Sequence, residues 1–292
     1  MYQTETQYLL SLLKKASREE ILPRFKQVKP ELKLNLDNFK DYVTEADTSA
    51  SKYILDRIRD NFPGSYSEEH KSADRFDYDL IWQLDPVDGT QEFIDGYEVG
   101  FGCHAALLQK QTGGNYLPVA GIIYLPMKEE AWYFDGERVH HEVSDTIATI
   151  PDYKDSKQKI RGFQRKVDEN DALDEVYRSI AGSLQKPFSV ELLGGAACAF
   201  TSLLNNEINL FAFNCDIPKD WDVAMAIPII QALGGWITDF DGHEFINLNQ
   251  PDDAGGDPYL RKGIVSSIVF PKEQILPMLN TSQLILKAPA LP

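Results

Sequence analysis

Hydrophobic residues in the first part of the chain are spaced as in two helices separated by an extended segment. Residues 4–22 carry apolar side chains on one helical face, which predicts an amphipathic helix. Leucines alternate with polar residues in 31–43, as expected of a strand or one arm of a hairpin. A second helix is predicted to begin near Thr44 and to end at Pro63-Gly64.

The next part of the chain consists of short apolar runs joined by turn residues. Segments 100–109, 119–125 and 130–134 have the length and composition of strands. The sequence Thr112-Gly113-Gly114-Asn115 is a turn signal between the first two. Because connections this short join antiparallel strands, the pattern predicts an antiparallel meander.

The pattern changes after residue 145. Residues 144–158 are polar and lack periodicity, which predicts a boundary between an N-terminal α+β half, 1–145, and a C-terminal α/β half, 146–292. Strands and helices alternate in the second half, as in a layered α/β arrangement. The predicted elements are strand 159–163, helix 170–184, strand 188–193, helix 196–204, strand 208–213, helix 221–233, strand 263–270 and helix 271–279.

Charge and hydropathy narrow the range of partners. The 292 residues carry a formal net charge of −16, with a pI of about 4.7. Nucleic acids and anionic membranes attract basic surfaces, so neither is expected as a partner. No run of 18 apolar residues is present, so no membrane-spanning helix is expected.

The cysteines and the N-terminus bear on the cellular compartment. Cys103, Cys198 and Cys215 are widely separated and fit neither a metal-binding spacing nor a disulfide framework. Each lies in an apolar stretch, which is typical of buried free thiols in a reducing compartment. The N-terminus has no signal-peptide pattern, so a cytoplasmic location is predicted.

Two aspartates follow an apolar run of strand length that ends at Leu84. Asp85-Pro86 is predicted to end this strand, because proline cannot donate to a sheet ladder, and Asp88-Gly89 supplies a turn. Two carboxylates about 4 Å apart repel by roughly 4 kcal/mol at an effective dielectric constant near 20. They therefore share a proton or hold a cation, and oxygen ligands favour Mg²⁺, Mn²⁺ or Ca²⁺. The alternative is a plain Asp-Gly turn.

Other acidic positions each allow two interpretations. Thr44-x-x-Asp47 fits a capping box, and Asp222 stands at the start of a predicted helix, so both aspartates are candidate caps as well as candidate ligands. Glu69 lies in a loop where glutamates are commonly only solvated. Glu68 is interpreted as flanking, and His104 as a packed strand residue.

The string Asp85-Pro86-Val87-Asp88-Gly89-Thr90 resembles the signature of the inositol monophosphatase superfamily of Mg²⁺-dependent, lithium-sensitive phosphomonoesterases. Three further motifs of that family occur in the expected order, so the resemblance spans roughly residues 40–240: Thr44-Glu45-Ala46-Asp47, Ser67-Glu68-Glu69 and Trp221-Asp222-Val223-Ala224. The resemblance implies a five-layer αβαβα sandwich, a homodimer, and a site between the two halves.

The resemblance also implies a role for individual residues. Two Mg²⁺ ions are implied, the first bound by Glu69, Asp85 and the Val87 carbonyl, the second by Asp85, Asp88 and Asp222. A third, weaker ion would be held through water by Asp47. The implied catalytic residues are Glu69, Thr90 and Asp47, and the implied substrate contacts are Gly89, Thr90, Gly195, Ala196 and Asp222.

The substrate is the least determined part of the sequence interpretation. Family members that cleave inositol phosphates often carry Gly-Ser-Ala where this chain has Gly194-Gly195-Ala196. The Asp-Gly-Thr-Gln-Glu-Phe-Ile string resembles the corresponding motif of the branch that hydrolyses 3′-phosphoadenosine 5′-phosphate. Such a substrate has a second phosphate, but the helix after Gly195 lacks a basic residue that could bind it. Lys219 is the cation best placed to do so. Inositol 1-phosphate or a similar polyol or sugar phosphate is therefore predicted. The alternatives are a 3′(2′),5′-bisphosphate nucleotidase and an inactive metal-binding interaction protein.

Overall fold

The computed structural model describes residues 1–34, 40–153, 158–165, 171–213, 219–246, 248–249, 260 and 263–281. Helices α1 to α8 span Gln3–Ala16, Glu45–Ile58, Thr90–Ile94, Asp171–Ser183, Ala196–Leu204, Trp221–Ala224, Ala226–Ala232 and Lys272–Thr281. Strands β1 to β14 span Glu31–Leu34, Lys40–Val43, Tyr66–Ser67, Leu80–Asp88, Gly102–Lys110, Tyr116–Leu125, Glu130–Phe134, Val139–Val143, Thr146–Ile147, Ile160–Arg165, Phe188–Leu193, Phe211–Phe213, Trp236–Thr238 and Ile264–Ser267.

A large sheet carries the first part of the chain. Its strand order in the described residues is β3-β4-β5-β6-β7-β8-β9, and every neighbouring pair is antiparallel except β3 and β4. The predicted antiparallel meander is therefore confirmed. Its central strands are almost wholly buried, since helices cover both faces.

Strand β4 does not end at Pro86, so that prediction is wrong. The strand continues to Asp88, and its pairing with β5 shifts: Asp85 lies opposite His104, whereas Asp88 lies opposite Gly102. Three steps along β4 thus match two along β5, which is the signature of a β-bulge. A bulge tolerates a proline because the extra residue is not part of the regular ladder. It also brings Asp85 and Asp88, three residues apart, to the same side of the sheet.

The layers follow the order that the family resemblance implies. Helices α1 and α2 pack on one face of the large sheet, and α5, α6 and α7 pack on the other. These three helices also pack against a second layer of strands, whose far side is covered by α4 and α8. The αβαβα sandwich is therefore confirmed.

The second strand layer has two parts in the described residues. Strands β12, β14 and β13 form an antiparallel sheet, and β10 pairs in parallel with β11. The parts are adjacent: the Asn209 N–H donates to the Arg161 carbonyl at 2.9 Å, and the Phe163 and Phe211 rings lie 4.8 Å apart. The alternation of strands and helices predicted for this half is confirmed.

Several other predictions can be compared with the structure. The extended segment is a hairpin of β1 and β2, although residues 35–39 lie outside the described residues. Cys103 and Cys198 are buried free thiols, as predicted, whereas Cys215 lies outside the described residues. Within the described part of the chain, every helix is too short or too polar to cross a membrane.

Candidate active site

Three aspartates and one histidine converge where β4, β5 and α6 meet. Each of Asp85, Asp88, His104 and Asp222 offers one ligand atom, and these four atoms lie within 4.8 Å of one another. The three residues from the large sheet are buried, and Asp222 is partly buried. The sequence interpretation anticipated the three aspartates of this cluster.

The Asp88 carboxylate is held by the beginning of α5. It accepts hydrogen bonds from the Ala196 N–H at 3.1 Å and the Ala197 N–H at 2.6 Å. The Gly195 N–H donates to the Gly100 carbonyl at 3.0 Å. These N–H groups at the beginning of α5 are therefore engaged within the chain, and the anion at this helix N-terminus is Asp88.

The same contact explains the glycine at position 195. A Cβ atom there would lie 2.5 and 2.6 Å from the two carboxylate oxygens of Asp88. A serine at this position would therefore require Asp88 to shift, so glycine suits the local packing.

Asp222 lies in the first turn of α6, at the opposite side of the cluster. Its Oδ2 accepts a hydrogen bond from the Lys219 N–H at 2.8 Å, which fixes its direction at the helix N-terminus. Asp222 thus accepts a backbone N–H just before the helix, and its carboxylate also belongs to the cluster.

Thr90 and Asp47 form a linked pair beside the cluster. Asp47 completes the predicted capping box with Thr44, and its Oδ1 lies 2.9 Å from the Thr90 hydroxyl. That hydroxyl also lies 3.0 Å from the Val87 carbonyl, so it can donate to either oxygen. Gly89, with φ of +86°, begins the turn, and a Cβ atom there would lie 2.6 Å from the Gly100 carbonyl oxygen. The turn therefore requires glycine.

Glu68 lies beside Asp85 because of the pairing between β3 and β4. Ser67 is opposite Leu84, and the Glu68 N–H donates to the Leu84 carbonyl at 3.0 Å. Glu68 follows Ser67, and Asp85 follows Leu84, so these two residues are also neighbours. A residue interpreted from the sequence as flanking thus stands next to the aspartate cluster.

Two lysines balance the paired glutamates. Lys33 from the β1–β2 hairpin lies 3.2 Å from the Glu68 carboxylate and also contacts the Glu69 carboxylate, while Lys219 lies 2.8 Å from Glu68. Burial acts to raise the pKa of Glu68, but Lys219 and Lys33 outweigh it and hold that pKa below its usual range. Burial, followed by the charge of Glu68, raises the pKa of Glu69 to about 7.

Burial and neighbouring carboxylates raise the pKa values of the other acidic groups. Burial is the largest cause of the raised pKa of Asp85, and Glu68 is the strongest of the neighbouring carboxylates that raise it further. Burial and then Asp88 raise the pKa of Asp222. Burial raises the pKa of Asp47 to about 6, even though hydrogen bonds from Thr44 and Thr90 act in the opposite direction. The metal-free site therefore favours protonated carboxyl groups.

These raised pKa values predict an unusual pH dependence of the stability of the metal-free protein. Folded carboxyl groups with raised pKa values bind protons that the unfolded chain releases near pH 4. Their stabilising effect is full below that pH and is lost as the pH rises to about 6 for Asp47 and about 7 for Glu69. We expect the EDTA-treated protein to have a lower Tm at pH 8 than at pH 5.

The contribution of Asp47 can be measured separately. Its shift of about two units corresponds to roughly 2–3 kcal/mol of the free energy of unfolding. Asp47→Asn carries no proton to lose, so calorimetry should show a flatter fall in Tm between pH 5 and pH 8. A Tm that stays constant or rises over this range in EDTA-treated wild-type protein would contradict the expected sign.

The donor set suits a divalent cation. Carboxylates such as those of Asp85, Asp88 and Asp222 are the oxygen ligands that Mg²⁺, Mn²⁺ and Ca²⁺ take in proteins. A divalent cation would relieve the repulsion that raises the pKa values of Asp85 and Asp222. The chemistry of these residues therefore fits the metal that the motifs imply.

The sequence interpretation did not anticipate three features of this region: the positions of Glu68 and Lys33 beside the cluster, and the proximity of His104 to the aspartates. His104 is packed inside the sheet, as predicted, but its Nε2 lies 3.6 Å from Asp85 Oδ2. Burial lowers the pKa of His104 to about 3, so the imidazole is neutral. Only the register of β4 against β5 brings it to the cluster, and no local motif signals that register.

Comparisons with known proteins identify the family and the fold. The inositol monophosphatase family model matches residues 3–274. A fructose-1,6-bisphosphatase/inositol-1-monophosphatase from Thermotoga maritima is 29% identical over 221 residues, which are 70% of this chain and 74% of that protein.

Two solved structures share the fold. An IMPase from Thermotoga maritima superposes with a TM-score of 0.70 at 20% identity, covering 95% of this chain and 97% of that one. An IMPase/NADP phosphatase complexed with Mg²⁺ and phosphate superposes with a TM-score of 0.70 at 17% identity, covering 97% of each chain.

Proposed function

We propose that this chain, which belongs to the inositol monophosphatase family, hydrolyses a small phosphomonoester in a Mg²⁺-dependent reaction. The observation that carries the proposal is the convergence of Asp85 and Asp88, from one strand, with Asp222, which lies more than 130 residues further along the sequence. Three crowded carboxylates in a partly buried site cost stability unless a cation is bound. Because the family consists of phosphatases, the reaction in which this cation would be used is the hydrolysis of a phosphate ester.

The roles of the metal-binding residues follow the family pattern. Glu69, Asp85 and the Val87 carbonyl would hold one Mg²⁺, Asp85, Asp88 and Asp222 a second, and Asp47 a third through water. Bound there, Mg²⁺ supplies acidity to water and neutralises charge on the phosphate and on the leaving oxygen. Removal of Mg²⁺ is therefore expected to abolish turnover.

Thr90 and Asp47 form the path for a proton in this proposal. The Thr90 hydroxyl lies 2.9 Å from Asp47 Oδ1, and the raised pKa of Asp47 makes that carboxylate a better proton acceptor than an exposed aspartate. Glu69, with its pKa also raised, is a second acceptor. The backbone N–H groups of Gly89 and Thr90 would orient the phosphate.

The surroundings of Lys219 support a monophosphate, with inositol 1-phosphate as the leading candidate. A nucleoside bisphosphate brings a second phosphate group that needs its own cation. Lys219 is 7% exposed, and its ammonium group lies 2.8 Å from Glu68, so its charge is already balanced. Helix α5 carries no basic residue. Gly195, Ala196 and Asp222 would contact the polyol.

A substrate screen tests the proposal. We expect kcat/KM for inositol 1-phosphate to exceed that for 3′-phosphoadenosine 5′-phosphate by more than about tenfold, or 1.4 kcal/mol, at equal Mg²⁺ and salt. Li⁺ at tens of millimolar is expected to inhibit, and EDTA to abolish activity. A tenfold preference for the bisphosphate would instead support the nucleotidase alternative. Absence of turnover with every phosphomonoester would support the inactive interaction protein.

The oligomeric state and the cellular location are also part of the proposal. We propose a homodimer, as the family resemblance implies, and sedimentation velocity measures this directly. The buried thiols of Cys103 and Cys198 support a cytoplasmic location, because cysteines outside disulfides are typical of reducing compartments.

A further inference from the structure

His104 is a buried histidine whose Nε2 atom has no hydrogen-bond partner in the described structure. The side chain is 1% exposed. Its cross-strand neighbours are Asp85 on β4 and Ile123 on β6, so it stands between the aspartate cluster and an apolar strand. A buried polar atom without a partner is destabilising, and a hydrophobic residue at this position would avoid that cost.

The nearest acidic atom does not offset this cost. His104 Nε2 and Asp85 Oδ2 are 3.6 Å apart, which is too long for a hydrogen bond. Two atoms bound to one metal ion at about 2.1 Å are separated by roughly 3 to 4 Å. The separation therefore suits two ligands of a common ion better than a donor and its acceptor.

The position of the imidazole relative to the whole cluster points the same way. His104 Nε2 belongs to the group of four ligand atoms that lie within 4.8 Å of one another. The other three come from Asp85, Asp88 and Asp222. An unpartnered nitrogen at the edge of three carboxylates thus has a position from which it can bind the same cation.

We propose that His104 Nε2 is an additional ligand of the cation held by Asp85, Asp88 and Asp222. This inference rests on the proposed metal site. Imidazole favours Co²⁺ and Zn²⁺ strongly over Mg²⁺, whereas carboxylates discriminate less. His104 therefore shifts the metal preference of this site from Mg²⁺ towards first-row transition metals. Such metals bind more tightly to the site with His104 than they would to the three carboxylates alone.

The test measures metal binding rather than turnover. Wild type and His104→Leu, which has a similar volume, are titrated with Co²⁺ and with Mg²⁺ by calorimetry in the full-length protein. We expect the substitution to weaken Co²⁺ binding about tenfold or more and Mg²⁺ binding less than about threefold. His140→Gln is the matched control, because His140 also lies on the large sheet but bonds to Asp135.

A spectroscopic measurement identifies the ligand directly. Pulsed electron paramagnetic resonance of Mn²⁺-loaded protein is expected to show coupling to a histidine nitrogen in wild type and His140→Gln, and none in His104→Leu. Mn²⁺ bound without nitrogen coupling, or equal losses of Co²⁺ and Mg²⁺ affinity, would overturn the role of His104 and leave the proposed phosphatase intact. Failure of wild type to bind any divalent cation would overturn both.

Discussion

Asp85→Asn is expected to lower kcat/KM by about a thousandfold while the protein remains folded. Asp85 is the residue that the family pattern assigns to two metal ions at once, and it occupies the bulge of β4 between the other ligands. Loss of one shared carboxylate weakens both ions, and about 4 kcal/mol of transition-state stabilisation corresponds to a thousandfold in rate. Asn preserves the size of the side chain and can still accept the Val87 N–H bond.

Stability distinguishes this loss of function from misfolding. Asp85 is surrounded by other carboxylates, so replacing it by a neutral side chain removes repulsion in the metal-free protein. We therefore expect the Tm of EDTA-treated Asp85→Asn to equal or exceed that of wild type. Asp60→Asn, an exposed position, serves as the control for both measurements. Full activity in Asp85→Asn would remove Asp85 from the mechanism.

The parts of the fold that the sequence predicted well are those with local signals. Strand 188–193 and helix 196–204 were predicted with the bounds that the structure has, because Gly194-Gly195 separates a strand pattern from a helical one. The capping box at Thr44 likewise depends on residues three positions apart. In each case the determining contacts lie within a few residues, so composition and spacing contain the information.

The parts that the sequence did not predict depend on non-local contacts. Pro86 indicates a strand end when only the chain is considered, but the bulge against β5 accommodates it. The approach of His104 to Asp85 depends on the register of the two strands, and the approach of Lys33 to Glu68 depends on where the hairpin folds. A one-residue change of register would place His104 on the other face.

The paired glutamates are a further case in which the structure refines the sequence interpretation. The motif alone assigned metal binding and proton transfer to Glu69. In the structure, the charge of Glu68 raises the pKa values of Asp85 and Asp222, while Glu69 contacts Lys33. The strand pairing also places Glu68 next to Asp85. Glu68 therefore affects the charge of the aspartates, while its own carboxylate is bound by Lys33 and Lys219.

Glutamine substitutions at the two positions separate these assignments. We expect Glu69→Gln to lower kcat/KM about a hundredfold and to raise the Mg²⁺ concentration needed for half-maximal activity, because the proposed ligand carboxylate and about 2.7 kcal/mol of charge stabilisation are lost. Glu68→Gln is expected to lower kcat/KM by about tenfold or less, since its carboxylate is bound by Lys33 and Lys219.

The two variants also differ in their expected stability. Glu68→Gln removes the carboxylate that lies 2.8 Å from the Lys219 ammonium group, and breaking a buried ion pair costs about 3 kcal/mol. Lys33 retains its contact with Glu69 in that variant. Thermal unfolding monitored by circular dichroism, with assays run at least 15 °C below each Tm, keeps this destabilisation separate from catalysis. A larger loss of kcat/KM and of Mg²⁺ affinity in Glu68→Gln than in Glu69→Gln would contradict the assignment of the ligand and the proton acceptor to Glu69, and would assign the ligand to Glu68.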